Sequence, residues 1–169
     1  MKTSFLLDAM LGSLARWLRI GGYDTEYMKD LTDDELIEKA QQSRRILLTR
    51  DEVLAKRALK RDVKTIYLKS ECDEINLAFL VGVLKISFDP LNSRCPKCNS
   101  QIKRVSKEEV KKKVPQGSLN AEVFWICEDC GSVYWRGSHW PRIIETLNMA
   151  SSGPNSPRQA LKSPGHLIG

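Results

Sequence analysis

The sequence predicts an α/β domain, a parallel sheet flanked by helices, followed by a small cysteine-stapled ribbon. Two observations carry this. Short apolar runs alternate with helix-period segments through residues 1–90. Two C-x-x-C pairs, Cys95-Pro96-Lys97-Cys98 and Cys127-Glu128-Asp129-Cys130, then follow with a long segment between them.

Residues 3–7 read as a first strand that ends at Asp8. Residues 11–20 repeat apolar side chains at helical spacing, with Leu11, Leu14, Ala15 and Leu18 on one face. Arg16 and Arg19 lie off that face, close to each other, and Gly21-Gly22 stops the helix. Residues 23–28 alternate like a strand. Residues 33–42 are helical, with Leu36, Ile37 and Ala40 inward. Residues 46–49, 52–60, 63–68 and 74–85 continue as strand, helix, strand and a strongly apolar helix. This βαβαβαβα order argues for a parallel sheet with helices over it.

The cysteine pairs predict a closed Cys₄ zinc site with no position left for substrate, a structural metal rather than a reactive one. Gly131 and Asn99 follow the two knuckles, and both residue types tolerate the left-handed turn that ends one. A fifth cysteine, Cys72, has no evident partner. A free thiol beside a zinc site fits the reducing cytosol, and neither a secretion signal nor a membrane-spanning stretch is expected.

Length and composition allow one ordinary domain with an appendage: 169 residues, 41% of them hydrophobic. Charge is uneven. Residues 1–90 hold 15 basic and 15 acidic side chains, whereas residues 91–169 hold 12 and 6, so the formal +6 lies entirely in the second half. Four thiolates on one Zn²⁺ would bring the loaded chain to about +4. The run Lys111-Lys112-Lys113 suits RNA phosphates or a solvated loop equally well.

Ligands of parallel sheets bind beyond the carboxyl ends of the strands. Asp8 follows the first strand, Asp51 follows the third, and Asp33 opens the second helix on the same edge. Converging carboxylates repel unless a cation neutralises them, and Mg²⁺ or Mn²⁺ is the hard cation that suits oxygen ligands. Capping explains the same acids. Thr32-Asp33-Asp34-Glu35 and Thr49-Arg50-Asp51-Glu52 both match the capping box, and Ser70-Glu71-Cys72-Asp73 is a similar helix start. Capping is the commoner role of acids so placed, whereas Asp8 fits cap and ligand alike. Arg16 and Arg19 could clamp a phosphate, although surface pairing is commoner. The run from Tyr134 to Trp140 suits a ribbon core and docking better than base stacking, and His139 lacks a ligand partner at metal spacing.

Taken together, several stretches resemble the Mut-seven carboxy-terminal RNase family, a PIN-like nuclease domain followed by a zinc ribbon. They are Leu7-Asp8-Ala9-Met10-Leu11-Gly12-Ser13-Leu14-Ala15-Arg16-Trp17-Leu18-Arg19, Gly22-Tyr23-Asp24-Thr25, Asp33-Asp34-Glu35-Leu36 and Ile46-Leu47-Leu48-Thr49-Arg50-Asp51. The two knuckles and Val133-Tyr134-Trp135-Arg136-Gly137-Ser138-His139-Trp140 complete the order. The resemblance implies a metal-dependent ribonuclease, with Asp8 and Asp51 as metal-binding acids and Asp33 or Asp34 as a third. A fourth acid of such nucleases has Asp73 as its nearest candidate, without a supporting motif.

The expectation is therefore a PIN-like domain over 1–90, a zinc ribbon over 91–146 and a disordered tail over 147–169. Catalysis would rest on Asp8, Asp33 and Asp51 with Mg²⁺ or Mn²⁺. RNA, single-stranded or structured, would be held by Arg16, Arg19 and Lys111–Lys113, and cleavage would be endonucleolytic and cytoplasmic. The main alternative is a non-catalytic RNA-binding adaptor that works through the ribbon. A receiver-like phosphoacceptor is a weaker one, since no rim lysine and lone acceptor aspartate stand out.

Overall fold

The computed structural model describes residues 3–152. Its first half runs β1 (Ser4–Leu7), α1 (Gly12–Ile20), β2 (Asp24–Tyr27), α2 (Asp33–Ser43), β3 (Ile46–Thr49), α3 (Glu52–Lys60), β4 (Thr65–Tyr67) and α4 (Asp73–Leu84). A 3-10 turn, Ala9–Leu11, joins β1 to α1. The second half runs β5 (Ile102–Val105), α5 (Lys107–Val110), β6 (Phe124–Cys127), β7 (Val133–Trp135) and α6 (Trp140–Ser151). The first four strands form a parallel sheet in the order β2-β1-β3-β4, and the last three an antiparallel sheet in chain order.

The central strands β1 and β3 are apolar at nearly every position because helices cover both faces. Alternate side chains point to opposite sides. Phe5, Leu7 and Leu48 pack with Leu14, Leu18, Leu77 and Leu80 of α1 and α4. Leu6 and Leu47 pack the other way, against Leu36, Ile37 and Ala40 of α2 and Leu54 and Ala58 of α3. The Thr32 capping box forms as the pattern predicts. The pattern at Thr49 does not: Asp51 caps α3 instead, with its carboxylate accepting from Val53 N and Leu54 N. Cys72 precedes α4 without a side-chain cap.

Helix α6 corrects the expected start of the tail at 147. It continues through Ser151, and Leu147 and Ala150 are buried in the same apolar layer as α1 and α4. Pro141 sits in the first turn, where a missing N–H costs nothing, and Ile143, Leu147 and Ala150 share one face. The ribbon is thus inserted between two helices of the α/β layer. The remainder of the predicted tail, 153–169, lies outside the described residues. No described helix is long and apolar enough to cross a membrane.

The ribbon has a small core of its own, Val110, Val114 and Phe124, with Val105, Val133 and Trp135 around it. Its first knuckle covers the exposed edge of β2. Asn99 Oδ1 accepts from Thr25 N at 2.9 Å while its Nδ2 donates to Asp24 Oδ1 at 2.7 Å. Arg94 N donates to Arg19 O at 2.8 Å, and Ser93 Oγ to Ile20 O at 2.7 Å. The bond to Thr25 N takes up a backbone donor on the free edge of β2.

Candidate active site and zinc centre

The strand order places β1 and β3 side by side, with β2 beyond one and β4 beyond the other. The chain leaves β1 toward β2 and later returns to β3, so the β1/β3 crevice is the topological switch point. Asp8 leaves β1 and Asp51 follows β3, both at the carboxyl edge.

Thr49 joins them. Its side chain is fully buried, and its hydroxyl donates a short hydrogen bond to Asp8 Oδ2. The Thr49 Oγ1 in turn accepts from Asp51 N at 2.9 Å. Asp8 Oδ1 accepts from Met10 N at 3.0 Å, capping the 3-10 turn. Tyr27, at the end of β2, fixes that turn by donating its hydroxyl to Ala9 O at 2.9 Å. Gly12 makes room for it, since a Cβ there would lie 2.9 Å from the Tyr27 oxygen.

Asp8 is 8% exposed. Burial pushes its carboxyl above the ordinary carboxylate value and the Asp51 charge adds to this, while Thr49, Met10 N and Arg50 pull the other way. Asp51 uses Oδ1 for the cap, and its Oδ2 has no hydrogen-bond partner among the described residues. A buried acid beside a second acid with a free oxygen could hold a divalent cation, which would relieve both burial and repulsion.

The other predicted residues are placed differently. Asp33 pairs with Arg57 at 2.7 Å, and Asp34 with Arg57 at 2.8 Å and Arg61 at 3.2 Å. These pairs tie the start of α2 to α3 rather than joining Asp33 to Asp8 and Asp51. Asp73 opens α4, half-buried, with no hydrogen bond or ion pair among the described residues. Arg16 is exposed and forms no ion pair among the described residues. Arg19 is the correction. It is 6% exposed, its Nε donates to Thr25 O at 2.9 Å, and its Nη1 donates to Pro96 O at 2.9 Å and Lys97 O at 3.2 Å. Its Nε braces β2 and its Nη1 the first knuckle from a buried position, in place of the exposed phosphate clamp that the sequence suggested. Lys111, Lys112 and Lys113 are exposed just after α5.

The four cysteine sulfurs lie within 4.8 Å of one another. Cys98 Sγ is 3.4 Å from Cys127 Sγ, and Cys95 Sγ is 3.6 Å from Cys130 Sγ. Tetrahedral Zn²⁺ with four thiolates requires sulfurs about 3.8 Å apart, so the set fits zinc. The two knuckles repeat one geometry. Asn99 N and Gly131 N each return to the first cysteine's carbonyl at 2.9 Å, with φ of 74° and 71°. Ser100 and Ser132 place hydroxyls 3.4 Å and 3.2 Å from Cys98 and Cys130. Ser132 draws the Cys130 thiol down to about 6, which leaves a thiolate ready for metal. The aromatic run serves packing and docking: Tyr134 OH is 3.1 Å from Cys95 Sγ, and Trp135 lies against the ribbon core.

Sequence reasoning missed Thr49 as the partner of Asp8 and Tyr27 as the brace of the turn that follows it. Thr49 carried a signal, a hydroxyl residue at a strand end two positions before an aspartate, but the capping box gave it another reading.

Comparison with known proteins gives one match. A family model described as the Mut7-C RNAse domain matches residues 3–147. No curated protein and no solved structure matches the chain.

Proposed function

The chain belongs to the Mut7-C RNase domain family, and from that premise we propose that it is a metal-dependent ribonuclease acting endonucleolytically in the reducing cytosol. The observation that carries this is the Asp8–Thr49–Asp51 arrangement at the switch point. Asp8 and Asp51 would hold Mg²⁺ or Mn²⁺, which supplies charge neutralisation at a phosphodiester and a water of lowered pKa. Thr49 keeps the Asp8 carboxylate turned toward Asp51, and Tyr27 keeps the turn after Asp8 in place. Arg16 orients the substrate phosphate, and Lys111–Lys113 attract the RNA backbone without reading its sequence. Asp33 positions α2 through Arg57, and Asp73, at the start of α4, would be the further acid.

The test is incubation of zinc-loaded protein with single-stranded and structured RNAs, with and without Mg²⁺ or Mn²⁺. Internal cuts that depend on the added cation and vanish in Asp8→Asn support the reading. No cleavage of any RNA under either cation sinks it. One observation favours the adaptor instead: Asp8 and Asp51 both cap helical turns. The adaptor predicts RNA binding that Asp8→Asn leaves unchanged and no cleavage at all.

A further inference from the structure

We propose that the cleft between the segment after α4 and the ribbon sheet binds one nucleotide of single-stranded RNA, with its base on Trp125 and its phosphate on Arg104 and Arg136. That the nucleotide is part of RNA rests on the ribonuclease reading; the pocket itself does not.

The cleft has a volume of about 600 Å³, and its wall includes Arg104, Trp125, Arg136, Gln101, Asn92 and Glu122. A site of that size holds a small organic ligand. Arg104 on β5 and Trp125 on β6 are directly paired across the antiparallel sheet, so they project from the same face. Trp125 is not free to swing. Its indole stacks on Trp140 with centroids 5.9 Å apart and planes 25° from parallel. Trp125 lines both this cleft and a neighbouring cavity of about 300 Å³, whereas Trp140 lines that cavity and not this cleft. The ring is therefore held on one side and presents the other to the cleft. A pre-fixed aromatic face is what base stacking uses, at about 1–3 kcal/mol per base.

The charged groups define the rest of the ligand. Arg136 lies over the Trp140 ring at 5.2 Å, and its Nε is buried with no hydrogen-bond partner among the described residues. A phosphate in the cleft would be met by the terminal guanidinium nitrogens of Arg136, which lines the wall, as a charge-assisted pair. Arg104 is exposed and forms no ion pair among the described residues. Glu122 is the one acid on the wall. It opposes a bare polyanion but accepts from a ribose hydroxyl or a base amino group. Gln101 and Asn92 offer both donors and acceptors to a base edge. Two guanidiniums, an aromatic plane, amides and a single carboxylate together match a nucleotide better than free phosphate. The base must be unpaired to reach the ring, which selects single strands over duplex.

The test uses the full, zinc-loaded chain without added Mg²⁺ or Mn²⁺, and fluorescence anisotropy of a labelled single-stranded oligoribonucleotide. Arg104→Gln should weaken binding about tenfold, and Trp125→Phe by a similar factor, with RNA also quenching tryptophan emission in the unmutated chain. A duplex of the same length should bind Arg104→Gln and the unmutated chain within about twofold of each other. Arg104 is exposed, so that variant folds and decides the question even where Trp125→Phe loses zinc. Unchanged single-strand affinity in folded Arg104→Gln overturns the proposal, and so does an equal loss for duplex. Cleavage with Mg²⁺ is scored separately: a protein that cuts RNA while Arg104→Gln binds normally keeps its nuclease site and loses this pocket.

Discussion

The two sheets of this molecule are held together by different physics. In the parallel sheet Phe5, Leu6, Leu7, Leu47 and Leu48 are all completely buried, and helices close both faces. In the ribbon only Phe124 and Cys127 of the three strands are buried. A sheet that small cannot bury enough apolar surface to order itself, and its four cysteines can hold the metal that would complete it. The difference teaches where each region is vulnerable. The α/β layer loses stability through cavities, the ribbon through its ligands. The two are nevertheless stitched together, by Arg19 and Asn99 against the first knuckle and by α6 returning to the α/β core.

The largest effect should follow loss of zinc. Cys98→Ser should remove structural zinc that carries on the order of 10 kcal/mol of coupled folding energy. Hydrogen exchange should show residues 102–135 unprotected while β1 and β3 remain protected. If both regions lose protection together, the comparison fails and the protein is one cooperative unit.

Arg19→Ala should cost about 3 kcal/mol, because one buried and two part-buried backbone acceptors lose a charged donor. Chemical denaturation measures it, and zinc affinity should fall at the same time because Pro96 and Lys97 are no longer anchored. Leu147→Ala should cost about 3 kcal/mol through a cavity in the α/β layer, with zinc affinity unchanged. The pair separates stitching from core packing. Equal effects of both variants on zinc would mean that α6 belongs to the ribbon.

The smallest effect on stability belongs to Lys111, Lys112 and Lys113. Reversing all three charges should shift stability by less than about 0.5 kcal/mol. The salt dependence of RNA affinity should fall by about two to three counterions. An unchanged slope would make the run solvent-facing decoration.

Much of this could be read from the chain. Elements β1 to α4 follow from apolar periodicity, and the knuckle turns at Asn99 and Gly131 follow from residue type. What was not legible involves partners distant in sequence. Arg19 looked like a surface arginine because two of its three acceptors are backbone carbonyls 77 and 78 residues away, and carbonyls leave no mark in a sequence. Thr49 had a local pattern that fitted capping, while its real partner, Asp8, comes from a neighbouring strand. Asp33 shared the right edge, but Arg57 claims it. Helix α6 did leave a signal, Ile143, Leu147 and Ala150 on one face, obscured by the polar composition that follows it.

The central claim is that Asp8 and Asp51 are an acid pair made for a cation. Asp8 fixes the sign of the test. Its folded carboxyl, raised chiefly by burial and further by Asp51, holds a proton more tightly than in the unfolded chain. Its contribution to stability is therefore present at low pH and lost as pH rises through the raised folded value. Cation binding needs the ionised form, so cleavage should fall off on the acid side at a pH above the ordinary value of 3.8. The direct measurement is the melting temperature of zinc-loaded wild type, Asp8→Asn and Asp51→Asn at pH 7, with and without Mn²⁺, alongside RNA cleavage. Without Mn²⁺, Asp8→Asn should melt at or above wild type, because repulsion and burial of charge are relieved. With Mn²⁺, only wild type should gain stability and only wild type should cut RNA. Asparagine variants that gain as much from Mn²⁺, or cut RNA at the wild-type rate, would contradict the claim and leave the two acids as helix caps.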